Sequence, residues 1–389
     1  MPPMEKVMNK VPAAYRITMI IAALALSLPS VSLAIVGGTD DYSDFADPGS
    51  EWYGMDMSGI GRVRSGSAVA IGNRWFLTAR HFALATGNTI TMEDGSIFTI
   101  TDTYNAPLTD GNLPDLKLVR VAEETDFWYD MYDPSLDPYN PQPNVIMAGS
   151  GYTGTTGVYR GNDFFEWQDT TTRDWRWGTN QLTEYTNYTF SSYTTTCFQM
   201  PFDIGATEYE SGLGSGDSGG GVFAQSADGS WGLVGISTYI DAERAIYDLS
   251  YAVAVAYYTD WIDTLVPTGD LDTNDTLDAA DIDLLFAAVD ALGGTTPTGY
   301  ELYDVNSDGV LDDTDKDFLI RTFMESQYGD ANLDGAVDLL DLGILGDNYN
   351  AAGGWAQGDF NGDGIVTLLD LGILGDYYGS EIPSGVPEP

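Results

Sequence analysis

Past Gly269 the chain repeats itself four times, and that repeat divides it in two. The segments GDLDTNDTLDAAD, YDVNSDGVLDDTD, GDANLDGAVDLLD and GDFNGDGIVTLLD share one pattern. Each precedes a short apolar stretch of helical character, such as Ile282–Val289 or Leu342–Leu345. Oxygen donors recur at loop positions one, three, five, nine and twelve. These are Asp270, Asp272, Asn274, Asp278 and Asp281; Asp304, Asn306, Asp308, Asp312 and Asp315; Asp330, Asn332, Asp334, Asp338 and Asp341; and Asp359, Asn361, Asp363, Thr367 and Asp370. Gly309, Gly335 and Gly364 stand at position six, where the loop turns sharply, and the first copy departs with Asp275. Calcium asks for this arrangement, because six to eight oxygens must converge on one hard cation and a bidentate carboxylate closes the loop. One such loop is a weak signal, since Asp/Asn/Gly-rich turns are common, but four in series are not accidental.

Length and charge bound the rest. A chain of 389 residues is long enough for two or three domains. A net charge of -44 excludes a partner that must be met by clustered Lys and Arg, so nucleic acid is set aside. The first 34 residues carry Lys6, Lys10 and Arg16, an apolar run from Ile17 to about Leu28 and the small-x-small site Ser32-Leu33-Ala34. That order reads as a secretory signal peptide, the alternative being a membrane anchor, for which the run is short. Export predicts an oxidising compartment, yet Cys197 is the only cysteine, so no intramolecular disulfide can form.

Between Ile35 and Val266 the chain is rich in Gly, Thr, Tyr and Trp, with short alternating or apolar runs such as Ser67–Leu77 and Trp231–Ser237. Short strands between turn residues predict an all-β barrel or sandwich. Asp126–Phe190, dense in aromatics, Asp, Asn and Pro, reads as long loops, and Tyr251–Leu265 as a terminal helix broken by Pro267-Thr268-Gly269.

Three distant segments of this part belong together: SAVAIGNRWFLTARHF (Ser67–Phe82), LPDLKLVRV (Leu113–Val121) and GSGDSGGGVF (Gly214–Phe223). A serine hydroxyl is a poor nucleophile near neutral pH and needs a base to take its proton during attack on a carbonyl. An imidazole suits that task, and His81 is the only histidine in the chain. The three segments resemble those that present histidine, aspartate and serine, in that order, in chymotrypsin- and trypsin-like serine proteases. The resemblance implies a chymotrypsin-like double β-barrel with a C-terminal helix over residues 35–266, and a serine endopeptidase acting on polypeptides through an acyl-enzyme without a cofactor. It implies the triad His81, Asp115 and Ser218, with Asp115 orienting the ring, and an oxyanion hole from the N–H groups of Gly216 and Ser218.

Cleavage after Ala34 would expose Ile35-Val36-Gly37-Gly38, which resembles the activating terminus of the family. That likeness pairs the new amino group of Ile35 with Asp217. The plainer alternative is that IVGG is only a first strand behind a leader. The resemblance continues through Ala148–Gly157, Leu233–Ile240 and Asp260–Ile262. The departures are Phe82 where many members carry cysteine, and Gly221 in place of proline after the Gly-Gly pair. Gly212 stands where trypsin has an acid. Thr238, Tyr239 and Ile240 match the substrate-binding strand, and the bulk of Ile240 predicts a shallow pocket for small or apolar side chains.

The four loops, each followed by one helix and ending in Asp rather than Glu, resemble type I dockerin modules. The resemblance implies two small α-helical modules, 268–327 and 328–380, that hold calcium and bind a cohesin-like scaffold domain, the alternative being a spacer. The residues before position twelve, Ala279-Ala280, Asp313-Thr314, Leu339-Leu340 and Leu368-Leu369, vary, and the leucine pairs could instead pack the last two repeats together. The tail 381–389 ends in Val386-Pro387-Glu388-Pro389, which resembles the start of a PEP-CTERM sorting signal and would bring in a membrane only if the rest of that signal exists. The reading from another class is a catalytically silent trypsin-like module that serves as a calcium-dependent surface-binding or scaffold-attached protein.

Overall fold

The computed structural model describes residues 35, 38–109, 111–125, 127–132, 143–152, 154–159, 162–167, 173–226, 229–240, 249–274 and 276–380, with 154–159 and 162–167 as backbone only. The predicted signal peptide, the VPEP tail and Asp275 lie outside the described residues. Among those described, no helix is long and apolar enough to cross a membrane.

Six strands form a closed barrel: β1 (Ile60–Val63), β2 (Gly66–Gly72), β3 (Trp75–Thr78), β4 (Thr89–Met92), β5 (Ile97–Asn105) and β6 (Lys117–Val121), in the order β1-β2-β3-β6-β5-β4. Closure removes the unpaired edges that an open sheet must protect. Side chains alternate across each strand, and in β2 and β3 both faces are buried. Ala68, Ala70, Phe76 and Val119 fill the barrel with Val63, Ile90 and Ile100. Their neighbours Val69, Leu77 and Leu118 point the other way, into a second core with Ile146, Phe223, Ile236 and Val253.

That second core is shared with a seven-stranded sheet of β7 (Asn144–Gly149), β10 (Arg176–Gln181), β11 (Tyr185–Phe190), β12 (Tyr193–Pro201), β13 (Gly221–Gln225), β14 (Trp231–Ile240) and β15 (Leu249–Ala254). Its order is β10-β7-β13-β14-β15-β12-β11, and a separate hairpin joins β8 (Gly154–Tyr159) to β9 (Asn162–Trp167).

Three expectations need correcting. Asp126–Phe190 is not a set of loops, since β7 to β11 run through it. The outer strand β11, YTNYTF, is largely exposed, so its polar residues hid an aromatic and β-branched strand. Tyr251–Leu265 is not one helix: Tyr251–Ala254 lie in β15, paired with both β12 and β14, Val255–Tyr257 make a 3-10 turn, and only Thr259–Ile262 form an α-helix, α1. The run YAVA is buried throughout, which erases the alternation that separates a strand from a helix. The double barrel is realised as one closed barrel packed on an open sheet, whose edges among the described residues are β10 and β11.

The repeats form α2 (Ala279–Leu292), α3 (Asp313–Phe318), α4 (Leu339–Asn348) and α5 (Leu368–Tyr377). One apolar core runs through all four, including Phe286, Leu319, Leu345, Trp355, Phe360 and Leu374. Trp355 joins the two pairs: its backbone N–H donates to Asp283 Oδ1 at 2.8 Å, and its Nε1 donates to the Asp330 carbonyl at 2.6 Å. Leu339, Leu340, Leu368 and Leu369 are 69, 62, 68 and 66% exposed, so they do not pack the last two repeats together.

The second loop is seated on the barrel. Asn73 Nδ2 and Arg74 Nε donate to the Asn306 carbonyl at 2.7 and 3.0 Å, and Trp75 Nε1 donates to Ser307 Oγ at 3.0 Å. Arg120 donates to the Ser307 carbonyl and lies 3.6 Å from Asp304 Oδ2, while Trp128 stacks near Phe318.

Candidate active site

The turn after β3 carries His81, and the segment leading into β6 carries Asp115. Asp115 is fully buried, where a carboxylate is tolerable only if its oxygens are met. They are met three times. His81 donates its backbone N–H to Oδ1 at 2.7 Å, His81 Nδ1 lies 2.7 Å from Oδ2, and Thr238 Oγ1 donates to Oδ2 at 2.5 Å. Asp115 in turn donates its own N–H to Thr195 Oγ1 at 2.8 Å. The imidazole is thus gripped at Nδ1 and remains one-quarter exposed.

Ser218 lies on the loop before β13, with Gly216 and Gly219 on either side at φ +95° and +86°, a region that favours glycine. A Cβ on Gly219 would stand 2.0 Å from the Ser67 carbonyl. The Ser218 hydroxyl donates to the Thr238 carbonyl at 3.1 Å rather than to His81. Thr238 therefore touches both Ser218 and Asp115, through its carbonyl and its hydroxyl. Sequence reasoning put Thr238 in the substrate pocket and missed its contact with Asp115. Among the described residues, the N–H groups of Gly216 and Ser218 donate to no protein acceptor, whereas Gly219 and Gly220 are bonded to Ser237 and Asp217 carbonyls at 2.6 and 2.8 Å.

Asp217 is fully buried beneath this loop. Its carboxylate accepts from the N–H of Gly214 at 2.7 Å and of Gly151 at 2.8 Å, and the backbone of Ile35 donates to it as well. Burial pushes its carboxyl up to about 7 against the pull of these bonds and of the Arg173 charge. Gly149 and Gly151 are required here, because a Cβ on either would come within about 2.5 Å of Asp217 Oδ1. Ile35 itself is buried among Val145, Met147, Leu213 and Val222.

The remaining predicted positions divide. Gly212 is buried at the foot of the loop, and Ile240 is half-buried at the end of β14. Tyr239 is nearly fully buried, its ring 6.4 Å from that of His81. Tyr188 and Phe190 of β11 lie 5.3 and 5.1 Å from Tyr239, and Phe190 is half exposed. These two aromatics, which sequence reasoning left among loops, form an apolar wall beside the ring. Phe82, in the place of a cysteine, packs on Gly66 so closely that a Cβ there would stand 2.1 Å from its ring. Cys197 is buried in β12, where desolvation and the Asp115 charge raise its thiol far above the range of a nucleophile.

The four loops repeat one geometry. The last aspartate of each is fully buried, and one of its oxygens accepts from the N–H at position nine: Asp278, Asp312, Asp338 and Thr367, at 2.9, 2.8, 2.8 and 2.8 Å. The residue at position nine caps the helix, so Asp278, Asp312, Asp338 and Thr367 hold the N–H at position eleven. Asp270, Asp272 and Asp281 bring carboxylate oxygens within 4.8 Å of one another. Burial raises the carboxyls of Asp304, Asp330 and Asp359 and pushes that of Asp315 up to about 7. Oxygens that converge in the first loop, and carboxyls raised by burial in the other three, suit a hard divalent cation, with positions one, three, five and twelve as its donors.

No curated protein matches the chain. A family profile described as Trypsin matches residues 48–262, more than half of the 389. That span holds the closed barrel, the open sheet, His81, Asp115 and Ser218, and on this match the chain belongs to the trypsin family of serine proteases.

Proposed function

We propose that the protein is a secreted serine endopeptidase in which His81, Asp115 and Ser218 act as one unit. The observation that carries this reading is the fully buried Asp115 carboxylate, whose Oδ2 lies 2.7 Å from His81 Nδ1 and leaves the far side of the ring free for a proton. Rotation of the Ser218 side chain away from the Thr238 carbonyl lets its hydroxyl give its proton to His81 as it attacks a peptide carbonyl. The tetrahedral oxyanion faces the unengaged N–H groups of Gly216 and Ser218. Collapse expels the amine, which takes the proton from His81, and water then cleaves the acyl-enzyme by the same steps in reverse.

The Ser218–Thr238 hydrogen bond is also the one observation that favours a silent binding module. A fluorophosphonate probe separates the two readings. Stoichiometric labelling, abolished in Ser218→Ala, is expected of the enzyme; folded protein that stays unlabelled would establish the binder.

Activation by cleavage before Ile35 follows from Asp217, a buried carboxylate with no ion-pair partner among the described residues. Ile35 has φ +42°, which a β-branched residue rarely adopts, and cutting the preceding bond frees it from that torsion while creating a cation beside Asp217. In a chain still extended before Ile35, the raised Asp217 makes the fold bind more protons than the unfolded chain. Stability is therefore present at low pH and lost as pH rises from about 4 to about 7. Compared with Asp217→Asn, the extended Ser218→Ala protein is expected to lose roughly 3 kcal/mol more between pH 5 and pH 8. Urea unfolding at both values measures it, and parallel pH profiles would contradict it.

For the repeats we propose calcium as the cation, held by the aspartates and asparagines at positions one, three, five and twelve. The four exposed leucines before position twelve support attachment to a cohesin-like scaffold domain rather than a spacer alone.

A further inference from the structure

A guanidinium sits where the nucleophile loop, the barrel and the open sheet meet. Arg173 Nε donates to the Ser150 carbonyl at 2.8 Å, its NH1 to the Arg64 carbonyl at 2.8 Å and its NH2 to the Gly66 carbonyl at 2.8 Å. The same NH2 reaches Ser150 Oγ at 3.2 Å and the Gly216 carbonyl at 3.3 Å. These acceptors come from the β1–β2 turn, the end of β7 and the residue two before Ser218. Only a planar fork with five N–H donors can gather so many oxygens from three segments; an ammonium has three donors and no fixed plane.

Two buried serines complete the arrangement. Ser67 Oγ lies 3.0 Å from Ser150 Oγ, accepts the Ser150 N–H at 2.9 Å and donates to the Gly216 carbonyl at 3.1 Å. The Ser67 N–H donates to the Ser218 carbonyl at 2.8 Å, and the Tyr152 N–H donates to the Ser215 carbonyl at 2.7 Å. The carbonyls of residues 215, 216 and 218 are thus each pinned from outside the loop. A peptide plane held at its carbonyl has its N–H aimed the opposite way. The bond at Ser215 therefore orients the Gly216 N–H. Arg173 with Ser67 fixes the next plane, whose Asp217 N–H is turned to the Gly214 carbonyl, and so holds the link between the Gly216 N–H and the Ser218 N–H, the latter set by the Asp217 carbonyl that accepts from Gly220.

We infer that Arg173 is a positioning residue which, with Ser67 and Ser150, holds the Gly214–Ser218 loop so that the Gly216 and Ser218 N–H groups face a developing oxyanion. The inference rests on the serine protease reading above. In a chain with one cysteine, no disulfide can brace this loop, and a half-buried cation on a ring of carbonyls takes that part. Its contribution falls on the charge that appears during reaction, not on substrate binding.

The test is steady-state hydrolysis of a peptide ester by the full mature chain carrying Arg173→Lys or Arg173→Ala. Either variant is expected to lower kcat about 10- to 100-fold with KM within about threefold. Guanidinium added at millimolar level should restore part of the Arg173→Ala loss, and methylammonium should not. Arg173→Lys keeps the charge and supplies the answer if Arg173→Ala does not fold. Folded Arg173→Lys with wild-type kcat, or with a loss confined to KM, would overturn the inference while leaving the enzyme reading intact. Wild-type protein inert to fluorophosphonate would overturn both.

Discussion

Replacing His81 with alanine is expected to lower kcat/KM by about 10⁴- to 10⁶-fold, with KM nearly unchanged. The size follows from the chain itself. Ser218 needs a base at its hydroxyl, His81 is the only imidazole in the sequence, and its Nδ1 is already committed to Asp115 at 2.7 Å. The chain has no second imidazole to take the proton and return it to the leaving amine. The residual rate would come from the Gly216 and Ser218 N–H groups and from substrate binding, which the substitution leaves in place. His81 is one-quarter exposed, and Asp115 keeps the backbone N–H of residue 81 and the Thr238 hydroxyl when the ring is gone, so the thermal midpoint should move by only a few degrees. Hydrolysis of a peptide ester, with circular dichroism to verify the fold, decides it. A variant retaining more than about one-hundredth of the wild-type rate would remove His81 from the chemistry.

Chelation is expected to abolish the cooperative fold of residues 268–380 at pH 8. The core of the repeats is built around buried carboxylates: Asp281, Asp315, Asp330, Asp341 and Asp370 are fully buried, and Asp304 and Asp359 nearly so. Backbone N–H groups meet some of their oxygens, but no set of amides neutralises several like charges brought within one loop. A cation bound only by the folded loop stabilises it by about 4 kcal/mol per site when present at a thousand times its dissociation constant. Four such terms lost together exceed what a core of this size supplies. The joined core, running from Phe286 through Trp355 to Leu374, makes the loss a single transition. The measurement is a thermal melt by circular dichroism with EGTA and with excess calcium, followed by limited proteolysis. Superimposable melts would show that the loops hold no structural cation.

The site was legible in the sequence to the extent that its chemistry is carried by residue type at fixed spacing. His81, Asp115 and Ser218 stand out because a lone histidine, a buried aspartate ahead of an apolar strand and a serine between glycines are each unusual. From the sequence Thr238 reads only as part of the substrate pocket, because nothing in LVGISTYI tells which way a hydroxyl points. Arg173 was invisible for a different reason. It lies in a polar, aromatic stretch whose strands were hidden, and its partners at 64, 66, 150 and 216 are remote from it in the chain. The fold shows the same division. Strands exposed on one side betray themselves by alternation, whereas YAVA, buried on both faces, reads equally well as a helix. The repeats gave up their loops because ligand spacing is written in consecutive residues, but not their common core, which depends on Trp355 reaching across from one pair to the other.

The clasp between Asn73, Arg74, Trp75 and Arg120 and the turn at Asn306-Ser307 also sets how the two halves can work as a tool. With that joint closed, the short stretch past Val266 is no swinging tether. The far helices therefore keep one bearing to His81 and Ser218, and whatever they held would stand to that site as work clamped in a vice stands to a fixed blade.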